Sequence, residues 1–248
     1  DLDLAIRGGG FFVVRGAHDG VDGSYYTRDG RMSLDVDGYV VHPGGLRLQG
    51  YAIDAAGVVS SPPGDLPLRA QSEPVATTAA TLAVNLDAGA AVGPAWDPLD
   101  PGGTSNHSTS LTVYDSLGTA HRVDVYYRAQ GGGAWEWHAM VDGAELTGGT
   151  PGTPTEIASG TLQFTTSGAL DAETTTASSA SFTGAAAGQA IAFDFGDAIT
   201  TDGGTGLTGS TQYAAAFDVS AVTQDGYGSG SLVDLQIADD GTITGVFS

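Results

Sequence analysis

Residues 1–51 read DLDLAIRGGG FFVVRGAHDG VDGSYYTRDG RMSLDVDGYV VHPGGLRLQG Y, a series of short apolar runs cut by Asp-Gly and Gly-Gly pairs. Asp-Gly supplies the positive φ that two-residue hairpin turns need, so the runs between the pairs read as strands. Leu2, Leu4 and Ile6 alternate with Asp1, Asp3 and Arg7, a period of two that turns one face to a core and the other to water. Residues 11–14 are continuously apolar, the pattern of a strand covered on both faces, and Gly8-Gly9-Gly10 ahead of them marks a bulge or turn. Residues 25–28, 32–36 and 39–41 are separated by Asp29-Gly30 and Asp37-Gly38 and read as a meander. Met32, Leu34 and Val36 share one face of its middle strand.

Further along, residues 60–103 are rich in Pro, Ala and Thr, broken by residues 81–86, where Leu82, Val84 and Leu86 alternate with polar or small neighbours. A domain boundary is expected near residue 90. A second β block follows at 110–114, 121–128 and 134–141, with turns at Asp115-Ser116-Leu117-Gly118 and at 130–133; Val123, Val125 and Tyr127 are placed to face Trp135, Trp137 and Val141. Residues 147–155 and 172–189 are low in complexity and read as long surface loops. Leu162 with Phe164, and Ile191 with Phe193 and Phe195, mark further strands. After Asp202 the opening texture returns, in Phe217, Val219 and Ala221 and then in Val233, Leu235 and Ile237 before Asp239-Asp240-Gly241. The expected architecture is all-β: a discontinuous domain of residues 1–90 and 205–248, with a second β domain of residues 91–204 inserted into it.

Composition supports that class. Among 248 residues there are 39 Gly, no Lys and only five Glu, which leaves little to build solvent-facing helices. A formal charge of −21 argues against nucleic acid or an anionic membrane as partner. The chain has no cysteine, so neither disulfides nor thiol chemistry contributes, and it has no apolar run long enough to span a bilayer. It opens on Asp1 in a strand pattern, as expected of a processed chain or a piece of something longer.

Several residues could carry chemistry. Asp35-Val36-Asp37-Gly38 matches the start of a calcium loop, but Tyr39 stands where the next oxygen ligand belongs, so a hairpin turn is the favoured reading, as for Asp239-Asp240-Gly241. His18, His42, His107, His121 and His138 lack metal-ligand spacing; only His121 and His138 could meet, and solvent-facing side chains are favoured over a zinc site. Asp124 and Glu136, on neighbouring strands, are a formal candidate for a glycosidase carboxylate pair. Ser116 lacks the preceding glycine of a nucleophile elbow and reads as a turn residue. Trp135 and Trp137 share a strand face and could stack on a sugar if exposed, though burial is the commoner outcome. Gly8-Gly9-Gly10 is no dinucleotide fingerprint, and Asn106-His107-Ser108 is a chance-level sequon. No catalytic, cofactor-binding or metal residue is assigned, and no cofactor.

Four segments in order resemble the bacterial flagellar axial proteins, the family of rod and hook subunits: Asp3-Leu4-Ala5-Ile6 through Gly10-Phe11-Phe12-Val13-Val14, Tyr26-Thr27-Arg28-Asp29-Gly30, Leu34-Asp35-Val36-Asp37-Gly38-Tyr39-Val40-Val41, and Leu48-Gln49-Gly50-Tyr51. The stretch from Thr109 through Thr112-Val113-Tyr114-Asp115-Ser116-Leu117-Gly118, with Gln224-Asp225-Gly226-Tyr227 near the end, is similar to the hook branch. The resemblance implies a structural, non-enzymatic subunit that self-assembles into a curved tube, the universal joint between motor and filament. The resemblance also implies a location outside the cell, reached by export without a cleaved signal peptide. The implied partners are copies of itself and other axial proteins of the rod, the hook-filament junction and the hook cap. In this family terminal helices form the tube's centre; neither is present here, so the resemblance implies a monomer for this piece alone. It assigns no contact residues. The alternatives are a distal rod subunit and, from a different class, an extracellular carbohydrate-binding or adhesin module.

Overall fold

In a computed structural model, residues 2–53, 57–68 and 71–248 are described, the side chain of Ala177 apart. Asp1, which the sequence assigns to the water face of the first strand, lies outside them. The chain divides into two compact units, residues 1–72 with 230–248, and residues 73–229.

The smaller unit opens with β1 (Leu2–Asp3), β2 (Phe12–His18), β3 (Val21–Thr27), β4 (Arg31–Leu34), β5 (Val40–Val41), β6 (Arg47–Gly50) and β7 (Gly64–Asp65). They form one antiparallel sheet in the order β1-β4-β5-β6-β2-β3, with β7 on β6. Val14, Met32, Val40, Leu46 and Leu48 are its buried centre, and Leu2, Leu4, Phe12 and Tyr25 pack against them. Half of the expected meander forms: β4 and β5 pair as a hairpin, but β3 is an edge strand and β4 lies across the sheet from it, beside β1. Asp29-Gly30 is a crossover. Leu4 N–H donates to the Gly30 carbonyl at 2.8 Å, and a Cβ on Gly30 would lie 1.7 Å from the Leu4 carbonyl oxygen. Two further expectations are corrected: Phe11 is 61% exposed rather than covered, and Val36 stands fully exposed in a turn beyond β4.

The turns themselves are of two kinds. Asp19 and Gly20, at φ 48° and 80°, form a two-residue loop that pairs His18 with Val21. Asp19 is the sole non-glycine residue at positive φ among the described residues. Asp37-Gly38 is different. Asp35 N–H donates to the Tyr39 carbonyl and Gly38 N–H to the Asp35 carbonyl, with Gly38 alone at positive φ, 81°. That is a three-residue loop ending in a glycine bulge. The same pair of bonds recurs at 42–46, 115–119, 165–169 and 238–242, each with glycine in fourth place at φ 76–87°.

The larger unit contains β8 (Ala79–Asn85), α1 (Pro101–Thr104), β9 (His107–Tyr114), β10 (Ala120–Gly131), β11 (Ala134–Asp142), a single turn of 3-10 helix (Gly143–Glu145), β12 (Pro154–Phe164), β13 (Leu170–Ser178), β14 (Ala192–Asp194), α2 (Ile199–Asp202) and β15 (Asp218–Gln224). Strands β9 to β13 form an antiparallel sheet in sequence order; β8 lies between β14, parallel to it, and β15, antiparallel. The sheets share one core. Leu82, Val84 and Leu86 on one side meet Val123, Val125, Tyr127, Trp135 and Trp137 on the other, with Phe193 and Phe195 against the Trp137 ring at 5.2 and 5.0 Å. Tyr127 stands directly opposite Trp137, as the alternation requires. A terminal hairpin, β16 (Leu232–Ile237) and β17 (Ile243–Phe247), belongs to the smaller unit.

One stretch departs from the sequence reading. Residues 172–178 are not a loop but most of β13, paired with β12, and Ala180 and Phe182 beyond them are buried. Repeated Thr conceals the apolar-polar alternation while itself favouring strand. The two compact units divide at 72/73 and 229/230. β8 and β15 pair with each other and feed the larger core, so both belong with the segment between them.

Tyr127 is completely buried, its hydroxyl has no hydrogen-bond partner, and burial pushes its phenol well above the ordinary range. Tyr127→Phe removes an unsatisfied polar atom without altering shape. It is expected to leave stability unchanged or raise it by about 1 kcal/mol. A loss of that size on urea denaturation would contradict the assignment.

Candidate functional site

The structure disperses most of the residues singled out by sequence. Trp135 and Trp137 are 1% and 0% exposed, so the pair offers no platform to a sugar. Asp124 and Glu136 are not opposite each other: Asp124 faces Met140 in the register and Glu136 faces Arg128. Each is occupied separately, Asp124 by Arg122 at 2.8 Å and Glu136 by Arg128 at 2.6 Å. The Asp35 carboxylate accepts from the N–H groups of Asp37 and Tyr39 at 2.9 and 2.8 Å, which closes its turn. Asp240 likewise accepts from Thr242 N–H at 2.9 Å. Ser116 accepts from Ala186 N–H at 2.9 Å, and Asn106 joins the Ala91 carbonyl to Ala129 N–H at 2.8 Å each. Gly8 and Gly10 take positive φ in a bend whose carbonyls are held by Arg28 at 2.7 and 2.6 Å.

The histidines do not all face solvent. His121 and His138 are 7% and 9% exposed and lie on opposite faces of the large sheet, so they do not meet. His121 takes the core side. Its Nε2 lies 3.1 Å from Asp115 and its Nδ1 2.7 Å from Glu145, and its ring stacks on Phe182 at 3.8 Å. Burial works to raise the Asp115 carboxyl, but the His121 contact and the N–H groups of Thr119 and Leu117 outweigh it and hold it below the usual value. His138 stacks on Trp96 at 3.9 Å with Nδ1 2.6 Å from Glu156. His107 stacks on Phe217 at 4.7 Å, and burial lowers its pKa. Among the described residues no group of three His, Cys, Asp or Glu is arranged to hold a metal ion. These rings act as wedges that fix loops on the sheet.

Glu173 on β13 went unnoticed in the sequence, hidden in a Thr-rich run. Burial pushes its carboxyl up to about 7, against the N–H it accepts from Phe195 at 2.9 Å, with Asp194 and Asp202 adding repulsion. The folded state therefore holds this proton more tightly than the unfolded chain does. Stability from this group is complete below pH 4.5 and is lost as pH rises through about 7. Glu173→Gln is expected to flatten that loss and to gain ~1 kcal/mol above neutral pH, after discounting for partial exposure. Denaturation midpoints across pH 5–8 would show it; parallel wild-type and variant profiles would refute it.

The positive charge is more telling. Arg31, Arg47, Arg122 and Arg128 are ion-paired, Arg28 is spent on carbonyls, and Arg69 lies outside the described residues. Among the described residues that leaves only Arg7 and Arg15, both exposed, with neither an ion pair nor a carbonyl held by the side chain. Arg15 on β2 stands directly opposite Arg47 on β6. Arg47 is neutralised by Asp65 at 3.0 Å, Asp35 and Asp37 at 3.8 Å each, and the Tyr39 ring at 3.8 Å. The two arginines, with Gly16, Asp22, Gly45 and Asp65, line an open hollow of about 300 Å³. No sequence signal marks it, since the register that opposes residues 15 and 47 is set by tertiary pairing.

What the fold defines first is a class: an all-β chain in which a larger β unit is inserted into a smaller one. The chain belongs to the flagellar hook and basal-body protein family: residues 85–227 match the flagellar basal body protein FlaE D2 domain, and residues 5–87 the flagellar hook protein FlgE/F/G D1 domain. Flagellar hook protein FlgE of Escherichia coli K12 is 29% identical over 253 aligned residues, covering all of this chain and 58% of that protein. FlgE of Rhizobium meliloti is 34% identical over 140 residues, 54% of this chain and 31% of that one. The chain thus spans little more than half the length of these relatives at most. The crystal structure of Helicobacter pylori flagellar hook protein FlgE2 has the same fold, with a TM-score of 0.58 at 14% identity, covering all of this chain and 86% of that one.

Proposed function

We propose that the chain is the β portion of a flagellar hook subunit, which polymerises into a curved tube outside the cell and passes motor torque to the filament. The observation that carries this is the tandem match of the D1 and D2 family domains, together with the end-to-end alignment with E. coli FlgE. The discontinuous smaller unit is the inner domain and the inserted larger unit the outer one. No enzymatic role is assigned, and the side chains fit that reading: the carboxylates and histidines described above are engaged in turns, ion pairs and ring stacks. In a tube, one subunit contacts the next head to tail, and contacts that must be remade as a bent tube rotates are better served by polar, wet surfaces than by a dry apolar seam. Its partners are further copies of the chain and the adjoining axial proteins.

The test is to express the protein with the flanking segments its relatives possess, and to examine it by electron microscopy and in a hook-less strain. Curved tubes and restored motility are expected. Straight, rod-like assemblies that complement only a rod mutant would move the assignment to a distal rod subunit.

A further inference from the structure

Any salt bridge between two copies of this chain must draw on a cation that its own fold has not consumed. The chain carries 29 acidic residues, and Arg7 and Arg15 are the only described arginines with neither an ion pair nor a side-chain hydrogen bond. Their settings differ. Arg7 lies in the segment between β1 and β2, outside any strand. Arg15 is fixed on β2, flanked by β3 and β6, and lines the hollow shared with Arg47.

Like charges directly opposite on paired strands are unfavourable unless something neutralises them. The three aspartates and the Tyr39 ring do so for Arg47, and Asp65 is already committed, accepting from Arg47 at 3.0 Å and from Gln49 at 2.6 Å. Arg15 has only the longer-range attraction of Asp65, with which it makes no ion pair. Its guanidinium offers donors in a fork that suits a carboxylate, in a hollow open to solvent.

We propose that this hollow is a carboxylate seat, in which Arg15 receives an acidic side chain of a second copy of the chain. The occupant is argued from charge: a copy carrying a net −21 presents carboxylates in abundance and almost no free cation, so copies complement one another only at such a point. Asp22 also lines the hollow and restricts the approach. The incoming carboxylate must arrive with a hydroxyl or backbone N–H beside it, to meet Asp22 without repulsion. The proposal rests on the hook-subunit reading.

The test uses the protein with its flanking segments and measures the critical concentration for tube formation. Arg15→Glu is expected to raise it about tenfold or more, and Arg15→Gln less, because reversal replaces attraction with repulsion whereas neutralisation only removes it. Arg7→Glu is expected to assemble as wild type. Added NaCl should raise the wild-type value and affect Arg15→Gln much less. Circular dichroism and a thermal melt establish that each variant is folded; should Arg15→Glu not fold, Arg15→Gln with its salt dependence carries the comparison. A wild-type critical concentration for both Arg15 variants would overturn the proposal while leaving the hook reading intact. Normal tubes with lost motility would also overturn it, and would assign Arg15 to a different flagellar protein. Absence of tubes from the wild type would overturn the hook reading and the proposal with it.

Discussion

Trp137→Ala should cost the larger unit ~3–5 kcal/mol, the range for truncating a buried aromatic in a core that cannot collapse around the gap. The ring is completely buried and packs against Phe193 and Phe195, on the far side of the core from its own strand β11. Its neighbours come from two sheets and two distant chain segments, so no single adjustment fills the space it leaves. Against the 5–15 kcal/mol that holds a typical domain together, such a loss leaves little reserve. Urea denaturation followed by far-UV circular dichroism would measure it. A loss under 1 kcal/mol would show that the sheets close over the cavity.

Gly160→Ala is the second large effect, and it comes from adding one carbon. A Cβ at residue 160 would lie 1.9 Å from the Thr174 carbonyl oxygen and 2.7 Å from Trp137 Nε1. Glycine is needed here because β13 shifts register against β12 between Ser159 and Gly160, and the strands close tightly at that point. Since the nearer obstacle is backbone, relief requires β13 to move, at a cost of ~3 kcal/mol or more. The double variant separates the two obstacles. Removing the indole as well leaves the Thr174 clash in place, so Trp137→Ala should not rescue Gly160→Ala; substantial rescue would make the indole the true obstacle.

How much of this was legible depended on whether the signal was local. The strands at 110–114, 121–128 and 134–141 followed from alternation, and the structure extends them by a few residues without changing their faces. Hairpin punctuation was legible, but its geometry was not. Asp37-Gly38 is a three-residue loop with a glycine bulge, and only Asp19-Gly20 is the two-residue turn that the dipeptide implies. Asp29-Gly30 has the same letters and is no turn at all, because its glycine answers to the Leu4 carbonyl rather than to φ. Residues 172–178 escaped notice because Thr suits both faces of a strand. Arg15 escaped because its isolation depends on the neighbours of every other arginine.

The sheet β14-β8-β15 has a consequence in time. Strands β9 to β13 each pair with the next in sequence, so they can zip up locally as the chain appears. β8 cannot: its partners arrive only at residues 192–194 and 218–224, and beside it the Thr77 hydroxyl meets the Gln224 side chain from 147 positions away. A chain emerging from its N-terminus therefore carries Leu82, Val84 and Leu86 on an unmated strand while the five-stranded sheet is already assembled. The earliest strand of the larger unit is among the last to be paired, and until then the nascent protein has an open edge to shield from its neighbours.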